Sequence, residues 1–135
     1  MVTEEDFKTH LYEEIIDTID RDDPDMLNDA IAAAEAEAIG YLSRYDTDTL
    51  FAAVDDDRDK SLVMIIKDIA VWHFIVVANP NTDMAMRRTR YEDAKSILKD
   101  IQSGKIVKKN WPLPEVEAES QFFHVNSAPK RPTRW

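Results

Sequence analysis

The sequence predicts an all-α protein, a compact bundle of about four to five helices followed by an extended C-terminal arm. Apolar residues recur at helical spacing through most of the chain before Gly104. Two glycines in 135 residues are too few for a fold built on tight β-turns. Beyond Gly104, the last 31 residues contain four prolines and show no helical period. We therefore divide the chain into a helical domain, 1–104, and a docking arm, 105–135, in which short strands are an alternative to a fully extended chain.

The first helix is expected to begin at Thr3. The Thr3 hydroxyl can cap free backbone N–H groups, and the three carboxylates that follow lie at the positive end of the helix dipole. Phe7, Leu11 and Ile15 then recur at helical spacing. This pattern predicts a helix to about Leu11 that continues or restarts through residue 19.

The second helix has the clearest start, because Asp23 is a suitable N-cap and Pro24 suits the first helical position. It is expected to continue to about Arg44. Its many alanines favour the helical state and close packing against a neighbouring helix. Gly40 interrupts the pattern, and we expect either a nearby backbone or a kink to explain it. The inward stripe comprises Leu27, Ile31, Ala34, Ala38 and Leu42.

A short helix and a long one occupy the middle of the chain. Asp46 is an N-cap for a short helix around Leu50, and residues 54–59 form a charged linker. The segment 60–78 is apolar around most of its circumference. Such a helix is buried on nearly all sides, so we expect it at the centre of the bundle.

The last helix is expected to begin at Thr82 and Asp83 and to run to about Ser103. Gly104 then serves as its C-terminal stop, since glycine readily adopts the left-handed conformation that ends a helix. The inward residues are Tyr91, Ala94, Ile97, Leu98 and Ile101.

Charge is distributed unevenly along the chain. Residues 1–59 contain 19 acidic and 4 basic side chains, a net charge of −15, whereas residues 60–135 contain 8 acidic and 13 basic ones, a net charge of +5. Such asymmetry bears on association and solubility rather than on fold. It fits two solvated faces of opposite sign, or contacts in which the acidic face of one subunit meets the basic face of the next.

The sequence carries no pattern typical of a catalytic or metal site. The absence of cysteine excludes thiolate sites and thiol nucleophiles. His10, His73 and His124 are not spaced to share a metal ion, and His73 suits a hydrogen-bonded core position. The acidic run 55–59 fails as a calcium loop, because Lys60 stands where an EF-hand requires glycine. We expect a protein that is not an enzyme and that holds no cofactor or metal.

Two basic groups are candidates for binding. The first comprises Arg87, Arg88 and Arg90 in the last helix; because the net charge of −10 disfavours general binding to nucleic acid, we interpret it as a subunit contact. The second closes the chain and comprises Lys130, Arg131, Arg134 and Trp135. Arginine and tryptophan often anchor interfaces, and the neighbouring prolines lower the entropy cost of ordering an extended chain. We predict that this end binds a partner; the alternative is a solubilising tail.

Several segments resemble the small proteins encoded in the head–tail gene region of Mu-like prophages, a family classed as a domain of unknown function. The resembling segments are DFKTHLY at 6–12, GYLSRYD at 40–46, KDIAVWH at 67–73, ANP at 78–80, RYEDA at 90–94 and NSAPKR at 126–131. They extend over nearly the whole chain. Their character is structural rather than chemical, so they point to a family more than to a mechanism.

The resemblance implies a head–tail connector, or head-completion adaptor, that forms a ring below the portal protein, commonly a dodecamer. The implied partners are further copies of the chain, the portal, and tail-side connector or terminator proteins. DNA would pass through the ring without sequence-specific contact, and no membrane is involved. The implied location is the bacterial cytoplasm during assembly and the head–tail junction of the virion afterwards. From the residues alone, the alternative is an acidic helical regulatory module that mimics DNA toward a basic partner.

Overall fold

A computed structural model describes residues 1–9, 25–78 and 84–115 of the chain. These residues form a compact helical bundle and contain no β-strand, as the predicted fold class requires. The α-helices are α1 (Met26–Tyr41), α2 (Thr47–Ala52), α3 (Lys60–Ala78) and α4 (Met84–Ser103). Two short 3-10 helices lie at Glu4–Thr9 and Asp55–Asp57.

Helix α3 is the centre of the bundle, as its apolar circumference predicts. It packs against both α1 and α4, which touch each other less extensively. Within the described residues, α3 supplies more buried side chains than any other helix, among them Leu62, Ile66, Ile69, Ala70, Phe74 and Ile75. Since burying one large apolar side chain contributes about 1.5–3 kcal/mol, α3 makes the greatest helical contribution to the core.

Helix α1 buries the whole predicted stripe, including Leu42 just beyond its end. It stops at Tyr41 rather than at Arg44, and the backbone N–H of Leu42 closes it on the carbonyl of Ile39 at 3.0 Å. Gly40 is exposed, and a Cβ added there would meet nothing within 4 Å in the described structure. The expectation of a nearby backbone at Gly40 is therefore wrong. The predicted helix start, residues 23–24, lies outside the described residues.

Helix α4 is buried along a narrower stripe than the sequence predicts. Ala94, Leu98 and Ile101 are buried, but Tyr91 is half-buried and Ile97 is 37% exposed, because α4 packs mainly against α3. The C-terminal stop is confirmed, since Gly104 has φ +85° and donates its N–H to the carbonyl of Ile101 at 3.2 Å. The predicted start, residues 82–83, lies outside the described residues.

The described part of the predicted first helix is the 3-10 helix Glu4–Thr9. Phe7 is fully buried. Arg58 donates two hydrogen bonds to the carboxylate of Asp6, at 2.7 and 3.2 Å, and a third to the carbonyl of Met1. Partial burial acts to raise the pKa of Asp6, but the hydrogen bonds from Arg58 and Thr3 outweigh it and hold that pKa below its ordinary value. The N-terminus is thereby tied to the segment before α3, while residues 10–24 lie outside the description.

Candidate functional site

The base of the arm is anchored to the helical body. Lys108 donates its backbone N–H to the hydroxyl of Tyr45 at 3.0 Å, and Asp46 donates its backbone N–H to the carbonyl of Pro112 at 2.9 Å. Between these contacts, Trp111 is only 5% exposed and meets the ring of Tyr45 edge-on, with centroids 5.1 Å apart. The described part of the arm, 105–115, therefore packs on the body, and Trp111 belongs to the hydrophobic core. The domain boundary at 104/105 stays a prediction.

Polar contacts beside Trp111 connect the arm to the start of α3. The ammonium group of Lys108 donates to the hydroxyl of Ser61 at 2.8 Å and lies 5.5 Å from the centroid of the Trp111 ring. Ser61 donates in turn to Asp59, whose carboxylate also caps α3 by accepting the N–H of Leu62 at 2.9 Å. Partial burial acts to raise the pKa of Asp59, but these hydrogen bonds and the charge of Lys108 hold it below its ordinary value. The indole N–H of Trp111 also favours the Asp59 charge, although Nε1 lies outside hydrogen-bonding geometry and has no partner in the described structure.

A groove of about 550 Å³ opens beside this anchor. We call it the arm-base groove, and its lining residues are Arg44, Tyr45, Val107, Lys108, Lys109, Trp111 and Leu113. Val107 is 62% exposed and Leu113 is 70% exposed, so aliphatic surface is open to a partner. Three of the lining side chains are cationic, and none is acidic. This combination suits a partner that presents carboxylates next to an aliphatic side chain.

A surface of the opposite sign lies in the linker before α3. We call residues 54–57 the acidic loop: Val54 is 62% exposed, and the three aspartates of the 3-10 helix are exposed as well. Asp55 has φ 51°, in the left-handed region that non-glycine residues seldom occupy. The carbonyl of Asp55 accepts a hydrogen bond from Nε of Arg58 at 3.0 Å, which braces the loop in this conformation. The loop therefore presents its carboxylates on a fixed backbone.

The arginines predicted to form a subunit contact are only partly available. Arg90 pairs with Asp68 of α3 at 3.0 Å, and Arg88 pairs with Glu92 one helical turn away at 3.1 Å. The side chain of Arg88 is 69% exposed, and Arg87 is partly exposed. Because an exposed i,i+4 pair is weak, Arg88 can exchange Glu92 for a partner carboxylate at little cost. Arg90 is the least suited of the three, since its pairing holds α4 to α3.

The predicted partner-binding residues Lys130, Arg131, Arg134 and Trp135 lie outside the described residues. The arm-base groove is a site that sequence reasoning missed. The sequence of residues 111–114 predicts only an extended chain. Nothing in that stretch indicates that Trp111 packs against Tyr45, which is far away in the sequence.

A second cluster that the sequence does not reveal joins α1, α3 and α4. Glu37 accepts a hydrogen bond from the hydroxyl of Tyr91 at 2.9 Å and lies 2.8 Å from Nε2 of His73. Trp72 stacks on the ring of Tyr91, with centroids 5.6 Å apart. Burial, followed by the hydrogen bond to Glu37, raises the pKa of Tyr91 to about 12. His73 is hydrogen-bonded as expected, but its side chain is 34% exposed, so it does not occupy the expected core position. The cluster links the three helices at the surface of the bundle.

Within 1–9, 25–78 and 84–115, no helix is long and apolar enough to cross a membrane, and no three His, Asp or Glu side chains are grouped to hold a metal ion. Comparison with protein-family models, curated proteins and solved structures finds no match to this chain. The candidate site is therefore defined by its own geometry: a cationic, partly aliphatic groove at the anchored base of the arm, and an acidic loop on the same body.

Proposed function

We propose that this chain is a structural head–tail connector that assembles into a ring on a bacteriophage head and joins the portal to the tail. The observation that carries the proposal is the anchorage of the base of the arm, since Trp111 and Pro112 fix the described residues 105–115 on the body, ahead of the predicted binding end. A segment tethered at a fixed point meets a neighbouring subunit at high effective concentration, so modest contacts suffice for stable assembly.

The resemblance to the Mu-like prophage family supports the same function. Three of the resembling segments, 40–46, 67–73 and 90–94, contribute to the contacts described above. The first holds the base of the arm, and the other two meet where Tyr91 stacks on Trp72 and Arg90 pairs with Asp68. These three segments therefore contribute to the body and to the anchored base of the arm, which are the parts an adaptor needs.

The partners follow from this role. A ring requires two different faces on each subunit, and the acidic loop and the arm-base groove are two such faces. We propose further copies of the chain as the first partner, with Arg87 and Arg88 as additional subunit contacts. The other proposed partners are the portal and the tail-side connector or terminator proteins. The arm would bind them through its end, which comprises Lys130, Arg131, Arg134 and Trp135. DNA would pass through the ring without sequence-specific contact.

Truncation tests the proposal, provided that it spares the anchor. A chain ending at Glu115 keeps Trp111 and all described contacts, so we expect it to unfold at the same temperature as the full chain. We expect it to lose binding to the portal of a Mu-like phage, measured by co-purification and by negative-stain imaging of rings. A full-length variant with alanine at Lys130, Arg131, Arg134 and Trp135 separates the predicted residues from the rest of the arm. Normal assembly of the truncated chain would contradict the docking role of the arm.

The exposed carboxylates of the acidic loop favour one alternative, a DNA-mimicking regulator of a basic partner. Such a protein would remain small at high concentration and would compete with duplex DNA for that partner. A connector would self-associate or assemble on the portal instead. Sedimentation at increasing protein concentration, with and without the portal, distinguishes the two functions.

A further inference from the structure

We infer that the arm-base groove of one copy binds the acidic loop of a second copy. The inference specifies a contact between subunits and rests on the proposed function only in requiring that copies associate. Both surfaces lie wholly within the described residues.

Two of the three cations of the groove contact their own chain before any partner arrives. The guanidinium of Arg44 lies against Gly104, so that a Cβ added to that glycine would come within 2.8 Å of Nη1. The ammonium of Lys108 is held by Ser61. Lys109 is exposed at the rim. A preformed site loses less side-chain entropy on binding than a mobile one, which favours a specific contact over a diffuse attraction.

The acidic loop complements the groove in both charge and apolar character. The aspartates of the loop are opposite in charge to Arg44 and Lys109 of the groove, whereas Lys108 already interacts with Asp59 of its own chain. The exposed Val54 matches the aliphatic surface of Val107 and Leu113. Because Asp55 is braced by Arg58, the loop is also preorganised. Opposite charges on two surfaces of one chain attract copies of that chain and orient them.

The loop binds a second copy rather than its own groove. Asp57 lines a separate cleft of about 380 Å³, and the lining of that cleft shares only Trp111 with the arm-base groove. The loop and the groove thus lie on either side of Trp111 in one molecule, and the hydrogen bond from Arg58 to the carbonyl of Asp55 fixes the backbone of the loop. Contact between the two surfaces therefore requires another molecule.

The surface of the groove favours a protein partner over nucleic acid. Unpaired bases bind by stacking on exposed aromatic faces, but Tyr45 and Trp111 are only 7% and 5% exposed. The open apolar surface is aliphatic instead. In addition, the net charge of −10 repels a polyanion that approaches the molecule as a whole.

Charge reversal at one exposed residue of each surface tests the contact. We choose Lys109→Glu in the groove and Asp56→Lys in the loop, because both side chains are exposed and neither makes a hydrogen bond or an ion pair within the described residues. The charge of Asp56 also favours the charged form of Arg58, so thermal unfolding must be compared between this variant and wild type. Either variant alone places like charges opposite each other, so we expect self-association about tenfold weaker than in wild type, measured by sedimentation equilibrium. Lys99→Glu and Asp93→Lys on α4 carry the same changes in net charge away from both surfaces and serve as matched controls. Unchanged thermal unfolding of all four variants shows that the fold is intact.

Mixing the two variants provides the decisive measurement. The Lys109→Glu groove then meets the Asp56→Lys loop, the wild-type groove meets the wild-type loop, and every contact is again between opposite charges. We expect the equimolar mixture to associate as wild type does, although each variant alone does not.

The outcomes distinguish this contact from the proposed function. The inferred contact is wrong, while the connector function stands, in either of two cases in which wild type associates. In the first, the two charge reversals weaken self-association no more than the α4 controls do. In the second, mixing the two variants does not restore self-association. If mixing restores complexes that stop at two copies, the contact is supported and the ring is contradicted. A wild-type chain that stays monomeric at high concentration, and also when the portal is added, overturns both.

Discussion

Replacing Trp111 with alanine tests whether the base of the arm is part of the folded body. An aromatic side chain buries roughly 150–250 Å², and at about 25 cal/mol per Å² of buried area this corresponds to about 4–6 kcal/mol. The upper part of that range does not apply, because truncation also removes a buried indole N–H that has no hydrogen-bond partner in the described structure, which offsets about 1–2 kcal/mol of the loss. We expect a net loss of about 3 kcal/mol, within the usual range for truncating a buried aromatic residue.

Trp111→Phe is the matched control for this prediction. It keeps a ring against Tyr45 and removes the N–H that has no partner among the described residues, so we expect it to cost less than about 1.5 kcal/mol. Urea unfolding followed by circular dichroism measures both variants, and a loss of 3 kcal/mol lowers the midpoint by about 1–2 M. A loss below about 1 kcal/mol for Trp111→Ala, or equal losses for both variants, would refute the reasoning. Either result would mean that the arm is attached to the body without stabilising it.

Three further predictions concern the body. Gly40→Ala should stabilise the protein by about 0.5–1 kcal/mol, since Gly40 is helical and an added Cβ would meet none of the described residues outside its own helix. Gly104→Ala should destabilise it by about 1–2 kcal/mol, since φ there is +85°. Thermal unfolding measures both, and a lowered midpoint for Gly40→Ala or a raised one for Gly104→Ala would contradict the corresponding prediction. Asp6→Asn should lower the free energy of unfolding by about 1–2 kcal/mol near pH 7. Because the pKa of Asp6 is lowered in the folded state, the stability difference between wild type and variant should persist above about pH 4 and vanish as the pH falls through the folded pKa. Urea unfolding at several pH values measures this difference. The pKa of Tyr91 is raised to about 12, so wild type should be more stable than Tyr91→Phe by an amount that is complete below about pH 10 and declines above it. If the stability difference grew with pH instead, the hydrogen bond to Glu37 would not favour the neutral phenol.

The helix ends that could be predicted are those with local signals. Asp46 accepts the N–H of Thr49 at 3.1 Å, as an N-cap should, and Gly104 ends α4 in the left-handed conformation. Both outcomes depend on atoms within about one helical turn, so a short stretch of sequence contains the cause. Gly40 shows the limit of such reasoning. A glycine in a helix suggests a close neighbour, but only the packed structure reveals that none of the described residues approaches it.

The candidate site could not be predicted in the same way. The arm-base groove exists because Trp111 packs against Tyr45, which brings Arg44 next to Lys108 and Lys109. Each of these residues reads as ordinary surface or extended chain when taken alone. The total charge of each half of the chain is readable from the sequence, whereas the grouping of three cations around exposed aliphatic surface requires the fold.

The sequence by itself determined the helical class, the central place of the 60–78 helix and the unequal charge of the two halves. These properties follow from periodicity, helix propensity and composition, which act between near neighbours or depend on simple counting. The tertiary structure alone decided that the base of the arm belongs to the core and that Glu37 joins His73 to Tyr91. Those contacts link residues far apart in the chain, and they form only when α1, α3 and α4 have packed and set the distances between them.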